Sequence, residues 1–261
     1  MEDFDNGWDA RAVLVDGEWV DRTPRRPEVA AAFRREASLL PWLAPQLPLP
    51  IPTPTVVHEA PLTLRHRLIE GDPCAGRQAT HGAAIGEFLR ALHAVSVADA
   101  TALGMPPWEQ ADTERRFEDE VLSAVVAVAP HLRSTAQELL RRCAESPTST
   151  VVHADLGPDH IRVKGDTVTG IIDWTDSCIG DPALDLAWAL HGTSAAFAES
   201  VAASYGVDPP LRRRALDWHA MGPWHQVIFG WDIDDDVTAA EGLSGVVSRL
   251  GMLPSQSPLD Q

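Results

Sequence analysis

Four side chains capable of acid–base or metal chemistry lie within one short part of the sequence. They are His153, Asp155, His160 and Asp173. The first three belong to Val151-Val-His-Ala-Asp-Leu-Gly-Pro-Asp-His-Ile161, and the fourth to Gly170-Ile-Ile-Asp-Trp174. One carboxylate can orient a hydroxyl and accept its proton, and another can hold Mg²⁺. Apolar, strand-like residues flank both segments, so the pattern predicts a rigid loop that presents two carboxylates.

The order and spacing of these residues match the catalytic motifs of protein kinases. A kinase catalytic loop reads His, any residue, Asp, four residues, Asn, and its metal-binding Asp follows on a nearby strand. His160 stands where that Asn would be. Imidazole is a softer ligand than an amide oxygen and suits zinc better than magnesium. The replacement is therefore expected to weaken a second metal site.

Together with Gly180-Asp-Pro-Ala-Leu-Asp-Leu-Ala187, this part of the chain resembles the antibiotic phosphotransferases. These are kinase-like enzymes that phosphorylate aminoglycosides and macrolides. The motif His-x-Asp-Leu-x-Pro-x-His-Ile looks most like the macrolide branch, because the aminoglycoside branch usually has Asn at the position of His160. The resemblance extends more weakly from Gly7 to about Gly251.

The resemblance implies an α+β, two-lobed fold of the protein-kinase type. A small antiparallel-sheet N-lobe is expected at residues 1–70, on the side of the nucleotide phosphates. A larger helical C-lobe is expected at residues 71–261, with the catalytic loop, the metal site and the acceptor site. In this interpretation Asp155 is the catalytic base, and Asp173 and His160 bind Mg²⁺.

The same resemblance predicts how a nucleotide is held. A kinase pairs a strand Lys with a helix Glu, but the one Lys of this chain, Lys164, lies far from that position. The resemblance places Arg22 at the Lys position and Glu36 as its partner. The hinge that binds the purine of ATP or GTP through backbone groups is expected at His66, Arg67, Leu68 and Ile69.

Three functions remain open from the residues alone. A small-molecule kinase accounts for the ordered His153, Asp155, His160 and Asp173 set. A metallohydrolase could assemble a zinc site from two His and two Asp side chains. A kinase-like binding protein with little turnover is the third, because the usual Lys is absent. Without the resemblance, Arg22 is better explained as part of an exposed basic turn before an ordinary helix.

The charge distribution bears on the partners. The net charge of −17 argues against nucleic acid, which binds through Lys and Arg. Residues 1–70 hold 11 acidic and 8 basic residues, whereas residues 71–261 hold 27 and 13, a balance of −14. Such a field attracts cations. The predicted partners are a nucleotide and a small, cationic, hydroxylated molecule; the alternative is that the acidic surface only aids solubility.

Composition also indicates the compartment. The three cysteines, Cys74, Cys143 and Cys178, lack close or metal-type spacing, and no basic apolar leader precedes them, so we expect a reducing, cytoplasmic setting. The most apolar run, Val121 to Pro130, is too short to span a bilayer, so no membrane partner is expected.

Turn residues and periodicity predict the order of elements. Asp16-Gly17 predicts a β-hairpin, preceded by a turn-forming cluster at residues 5–9 and by a first strand that is missing or very short. A helix is predicted at residues 27–40, followed by a Pro-rich connector without regular structure at residues 41–54. Further strands are predicted at residues 56–58, 62–69, 151–152 and 161–163. Further helices are predicted at residues 80–93, 113–129, 133–145, 185–191, 194–205, 211–229 and 237–250.

Four polar residues receive structural rather than catalytic roles. His153 is expected to brace its loop through hydrogen bonds, and His93 to be a packed helix-end residue. Asp181 is a predicted N-cap, because Pro182 opens the next helix. Asp185 is expected to fix the loop that follows the metal strand.

Overall fold

The computed structural model describes residues 2–4, 10–27, 29–108 and 111–253. The chain divides into two compact units, one formed by Met1–Trp108 and Thr148–Asp208 and the other by Glu109–Pro147 and Pro209–Gln261. Each residue of the predicted site belongs to the first unit. The predicted lobe boundary near residue 70 concerns a different division and stays a prediction.

The chain begins with a strand-rich part and continues with a mostly helical part. In chain order the strands are β1 Glu2–Phe4, β2 Ala10–Val15, β3 Trp19–Pro24, β4 Thr55–Glu59, β5 Leu62–Arg67, β6 Asp72–Pro73, β7 Thr150–Val152, β8 Ile161–Lys164, β9 Thr167–Ile171 and β10 Cys178–Gly180. The helices are α1 Val29–Leu43, α2 Ala79–Leu92, α3 Val97–Ala102, α4 Ala111–Arg116, α5 Leu122–Val128, α6 Arg133–Ala144, α7 Pro182–His191, α8 Ala195–Tyr205, α9 Pro209–Asp232 and α10 Asp236–Met252. The predicted α+β class is confirmed.

The first five strands form one antiparallel sheet of order β1-β2-β3-β5-β4. The predicted hairpin joins β2 to β3, and its turn residues Asp16 and Gly17 have positive φ angles of 54° and 71°, as a tight hairpin turn requires. The first strand has three residues, as short as expected. The predicted turn-forming cluster at residues 5–9 lies outside the described residues.

Helix α1 packs its apolar side against this sheet. Val29 and Phe33 of the helix meet Ala10, Leu62 and Leu64 of the strands in one buried cluster. Burial of such side chains contributes roughly 1.5–3 kcal/mol each, which makes the helix a firm support for the polar residues on its flank.

The connector predicted at residues 41–54 begins later than expected, which corrects that prediction. Helix α1 continues to Leu43 with Pro41 inside it, and a short 3₁₀ turn follows at Ala44–Gln46. Proline inside a helix costs about 3 kcal/mol. Leu39, Leu40 and Leu43 are fully buried, and their burial offsets that cost. The strand predicted at residues 62–69 also ends two residues earlier, at Arg67.

Two small sheets complete the strands of the first unit. β7 pairs with β10, and the hairpin β8–β9 is extended by β6. The second unit is helical, and the helix predicted at residues 113–129 contains a π-helical turn at Phe117–Val121 between α4 and α5. Within the described ranges, no helix combines the length and apolar character needed to cross a membrane. All three cysteines are buried, and none of them forms a disulfide bond.

Candidate active site

The loop that carries Asp155 is held between two short strands. The catalytic loop, defined here as residues 153–160, begins after β7 and ends in a 3₁₀ turn at Pro158–His160 before β8. Val151 and Val152 are fully buried, and antiparallel pairing with β10 fixes their backbone. The apolar flanks identified in the sequence therefore form the rigid supports that were predicted.

The β8–β9 hairpin brings the second carboxylate to the end of this loop. Ile161 of β8 lies opposite Ile171 of β9, and the N–H of Ile172 donates to the carbonyl of His160 at 2.9 Å. Asp173 follows directly, so its Oδ2 lies 3.7 Å from Nε2 of His160. The hairpin register thus explains how residues thirteen positions apart meet.

His160 connects the two carboxylates. Its Nδ1 donates to the backbone carbonyl of Asp155 at 2.6 Å and lies 3.4 Å from Oδ2 of the same residue. Because Nδ1 carries the proton, Nε2 has the lone pair that faces Asp173. The Asp155 side chain is 59% exposed, so its carboxylate is open to a molecule arriving from solvent.

His153 braces the loop, as predicted. It is completely buried, its Nε2 donates to the carbonyl of Ile172 at 3.0 Å, and its Nδ1 accepts from the N–H of Asp155 at 3.3 Å. Burial lowers the pKa of this imidazole, which keeps it neutral. Its ring also packs edge-on against Trp174, with ring centroids 4.8 Å apart. Both nitrogens are occupied by backbone groups, so His153 is unsuited to the two-His zinc site considered above.

The Asp185 carboxylate accepts hydrogen bonds from the backbone of the catalytic loop, a role that the sequence interpretation missed. Its Oδ2 accepts from the N–H of His153 and its Oδ1 from the N–H of Ala154, both at 2.8 Å. Ala154 has a positive φ of 70°, which is uncommon for a residue with a side chain. The two hydrogen bonds stabilise this conformation. Asp185 was expected to fix the loop after the metal strand, and the observed contacts correct that expectation.

The Asp185 carboxylate is itself ionised and buried. Burial would raise its pKa, but the hydrogen bonds from His93 and from the N–H of His153 help to lower the pKa below its usual value. His93 lies at the end of α2 with its ring buried, as predicted. The neighbouring Asp181 is the predicted N-cap, since its Oδ1 accepts from the N–H of Ala183 at 3.0 Å.

Arg22 and Glu36 form the pair that the family resemblance predicted. Arg22 Nη1 donates to Glu36 Oε2 at 2.6 Å, and the Glu36 side chain is 1% exposed. The guanidinium also stacks over Phe33 at 4.7 Å. Burial raises the pKa of Glu36, and the adjacent positive charge of Arg22 opposes that increase. The pair joins β3 to α1 next to the metal loop, defined here as residues 173–177.

Thr175 links this pair to Asp173, and no sequence signal identified it. Its hydroxyl accepts from Arg22 Nη2 at 3.0 Å, donates to Glu36 Oε1 at 3.0 Å and lies 3.2 Å from Asp173 Oδ1. Arg22 Nη2 also lies 3.4 Å from Asp173 Oδ1. Burial would raise the pKa of Asp173, but the adjacent positive charge of Arg22 lowers it, so the carboxylate stays charged.

The predicted hinge lies at the end of β5. The His66 ring is buried, and its Nδ1 donates to the carbonyl of Arg67 at 2.8 Å. The N–H of Leu68 donates to the carbonyl of Glu18 at 2.8 Å, and Ile69 is half-buried. Nucleotide binding by these four residues stays a prediction.

Residues 1–224 match the phosphotransferase enzyme family. Among curated relatives, the homoserine kinase of Beijerinckia indica is 34% identical over 131 residues, 47% of this chain and 39% of that protein. The uncharacterised protein YcbJ of Bacillus subtilis is 26% identical over 187 residues, 64% of this chain and 60% of that protein. The matches thus span 39% to 60% of the length of these relatives.

Solved structures share the fold at low sequence identity. The GDP and kanamycin complex of APH(2")-IIia superposes with a TM-score of 0.78 at 23% identity, covering 96% of this chain and 93% of that one. The macrolide 2'-phosphotransferase MphH of Brachybacterium faecium superposes with a TM-score of 0.70 at 24% identity, covering 94% and 90%. These similarities confirm the kinase-like fold and do not favour the macrolide branch over the others. The match over residues 1–224 shows that the chain belongs to the phosphotransferase enzyme family.

Proposed function

We propose that this chain is a small-molecule kinase that transfers the γ-phosphate of ATP or GTP to a hydroxyl group of a small, cationic acceptor. The observation that carries the proposal is the meeting of Asp155, His160 and Asp173 beside the Arg22–Glu36 pair, all within one compact unit. Membership of a phosphotransferase family supports it.

Asp155 is the proposed catalytic base. The acceptor oxygen forms a bond to the γ-phosphorus, the bond to the β–γ bridging oxygen breaks, and the nucleoside diphosphate leaves. Asp155 orients the acceptor hydroxyl and receives its proton as the new bond forms. The exposed carboxylate on a braced loop suits this role, because the acceptor can reach it while the loop stays fixed.

Magnesium is the proposed metal, and Asp173 and His160 are its proposed ligands. Asp173 Oδ2 and the lone pair of His160 Nε2 face each other at 3.7 Å, within the span of about 4 Å that two ligands of one small ion allow at roughly 2.1 Å each. The described residues contain no group of three or more His, Cys, Asp and Glu side chains suited to a metal. A pair of protein ligands fits Mg²⁺, which usually takes one or two carboxylates together with phosphate and water. When bound, the ion would neutralise phosphate charge.

Arg22 and the hinge residues are proposed to bind the nucleotide. Arg22 presents a planar guanidinium with several donors, which suits phosphate oxygens. Glu36 and Thr175 hold the guanidinium in place. Backbone groups of the segment from His66 to Ile69 are proposed to contact the purine.

The proposed acceptor class rests on the residues of the site and on similarity to known proteins. Macrolide remains the first proposal because of His160, and aminoglycoside the second. Partial similarity to homoserine kinase adds homoserine as a third. Macrolides and aminoglycosides carry hydroxyl groups and an amine, which agrees with the balance of −14 over residues 71–261. Homoserine also carries a carboxylate and has no net charge at neutral pH, so the acidic field does not support it.

A direct test is phosphoryl transfer from ATP and GTP, with magnesium, to panels of macrolides, aminoglycosides and homoserine. We expect a phosphorylated acceptor from one panel, and a loss of about 10²- to 10⁴-fold in turnover for Asp155→Asn. Nucleotide affinity should change little, because the substituted side chain is not a proposed nucleotide ligand. Nucleotide binding without transfer to any acceptor would instead support a kinase-like binding protein, and normal turnover in folded Asp155→Asn would refute the role of the base.

A further inference from the structure

A line of hydrogen bonds leads from the end of α8 to the catalytic loop. Tyr205 Oη lies 2.9 Å from Nδ1 of His93, and His93 Nε2 lies 3.1 Å from Oδ2 of Asp185. Because a carboxylate only accepts, Nε2 donates to it, and Nδ1 is left to accept the phenol proton. Asp185 in turn accepts from the N–H groups of His153 and Ala154. The line therefore ends on the backbone of the loop.

The helices that carry Tyr205 and His93 approach each other closely. A Cβ atom on Gly86 of α2 would lie 2.6 Å from the carbonyl of Val201 and 3.1 Å from the N of Tyr205. A Cβ on Gly82 would lie 2.5 Å from the carbonyl of Phe197. Only glycine permits this contact at both places. The tight packing of α2 on α8 sets the position of the phenol relative to the imidazole.

These hydrogen bonds restrict rotation of the Asp185 carboxylate. Each oxygen of the buried Asp185 carboxylate takes one loop N–H group, and rotation of the carboxylate would break both bonds. The N–H of His93 bonds to one of the two oxygens and so selects a single orientation. The Tyr205 ring packs edge-on against His93 with centroids 5.5 Å apart, which limits rotation of the imidazole as well.

We propose that Tyr205 and His93 are positioning residues for phosphoryl transfer, acting through Asp185 on the loop that carries Asp155. The proposal rests on the proposed kinase function. Arg22 and the hinge have no place in this line of contacts. The expected effect is therefore on kcat, with the KM for nucleotide nearly unchanged.

Three substitutions in this line of hydrogen bonds should lower kcat to different extents. His93→Leu removes both hydrogen bonds and should lower kcat about 10- to 100-fold, since small displacements of a catalytic group can cost that much. Tyr205→Phe removes only the hydroxyl and keeps the ring, so it should lower kcat less, by about 3- to 10-fold. His93→Gln keeps a donor for Asp185 and should recover most of the activity that His93→Leu loses.

Ser200 provides the matched control. Its hydroxyl donates to the carbonyl of Ala79 at 2.7 Å, so it also joins α8 to α2, far along the helices from His93. Ser200→Ala should leave kcat unchanged. If Ser200→Ala and Tyr205→Phe lower kcat equally, the contact only holds the helices together and the positioning role is wrong.

Tyr205 is the only tyrosine in the sequence, which permits a test that needs no turnover. In protein made with tyrosine labelled at Cζ, NMR should give one ring signal that shifts in His93→Leu but not in Ser200→Ala. Amide hydrogen exchange should accelerate at His153 and Ala154 in Tyr205→Phe and stay unchanged in β3. An unshifted signal, or unchanged exchange at both amides, would overturn the proposal. If the wild type shows no turnover but the NMR shift and the faster amide exchange are observed, only the proposed kinase function is overturned.

Discussion

The two loops that present the carboxylates are held in different ways. The catalytic loop rests on backbone N–H groups that donate to the fully buried Asp185. The metal loop rests on side chains, because Thr175 joins Asp173 to the Arg22–Glu36 pair. Asp173 also remains 46% exposed. The catalytic loop is therefore held by buried hydrogen bonds to its backbone. The metal loop is held by side-chain contacts that extend to the solvent.

The difference matches the work proposed for each loop. A base must meet the acceptor in one geometry, and a buried carboxylate bonded to two backbone groups allows little movement. A metal and phosphate site must exchange its contacts when the charged ligand arrives, and side chains can do so by changing rotamer. Trp174 of the metal loop packs its ring edge-on against His153 of the catalytic loop and against Phe88 of α2. We therefore expect substitutions in the first support to affect folding and turnover together, and those in the second to affect nucleotide binding.

The largest effect is expected for Asp185→Ala. The change leaves two buried loop N–H groups and the N–H of His93 without their acceptor, at about 1–3 kcal/mol each. The free energy of unfolding should therefore fall by at least about 3 kcal/mol in denaturant titrations. Asp185→Asn keeps one acceptor oxygen and should lose less. Equal stability of the wild type and the Ala variant would mean that the loop does not depend on this carboxylate.

The next prediction concerns the pH dependence of stability that arises from His66, which lies in the same sheet as Arg22. Burial lowers the pKa of His66 from 6.5 to about 4, with Arg22 contributing. Between these values the unfolded chain binds a proton that the folded chain does not, so the stabilising contribution is complete above 6.5 and is lost as the pH falls toward 4. The loss reaches roughly 3 kcal/mol at 1.36 kcal/mol per pH unit.

The measurement for His66 is the free energy of unfolding at several pH values between 7 and 4. His66→Phe, which cannot titrate, should show a shallower decline than the wild type over this window. His153 contributes its own part in both proteins, so only the difference between them is used. Parallel pH profiles would show that His66 takes up its proton in the folded state.

The smallest effect is expected for Thr175→Val, which keeps the shape of the side chain and removes the hydroxyl. Hydrogen bonds to charged groups contribute about 1.5–3 kcal/mol, so nucleotide affinity should weaken about tenfold as Arg22 and Asp173 lose their common partner. Isothermal titration with nucleotide and magnesium measures this change. Thr175→Ser restores the hydroxyl and should restore affinity. A tenfold loss that persists in the Ser variant would assign the effect to packing of the methyl group.

Local patterns in the sequence predicted the parts of the site that depend on short-range geometry. The apolar residues around Asp155 and before Asp173 predicted strand-like supports for both carboxylates, and the register of β8 and β9 brings the two carboxylates together. Strand and helix ends were less accurate, as Pro41 shows, because burial of the surrounding leucines outweighed its low helix propensity. The Arg22–Glu36 pair was predicted from the resemblance and is observed.

Contacts between distant parts of the chain were missed. Tyr205 meets His93 across 112 positions and Thr175 meets Glu36 across 139, and periodicity carries no information on such pairs. Asp185 did leave a signal. It lies in the apolar run Ala183-Leu-Asp-Leu-Ala187, and a carboxylate among apolar helix residues is expected to be buried and bonded.

The proposed role of Arg22, in place of a phosphate-binding lysine, also has a consequence for covalent reagents. Nucleotide analogues with an acyl phosphate label kinases by acylating the amine of the phosphate-binding lysine. A guanidinium stays protonated and is a poor nucleophile, so such a reagent would not modify Arg22. The only lysine, Lys164, is exposed and paired with Glu70 on the β8–β9 turn side. Proteome-wide lysine profiling would therefore overlook the proposed nucleotide site of this chain.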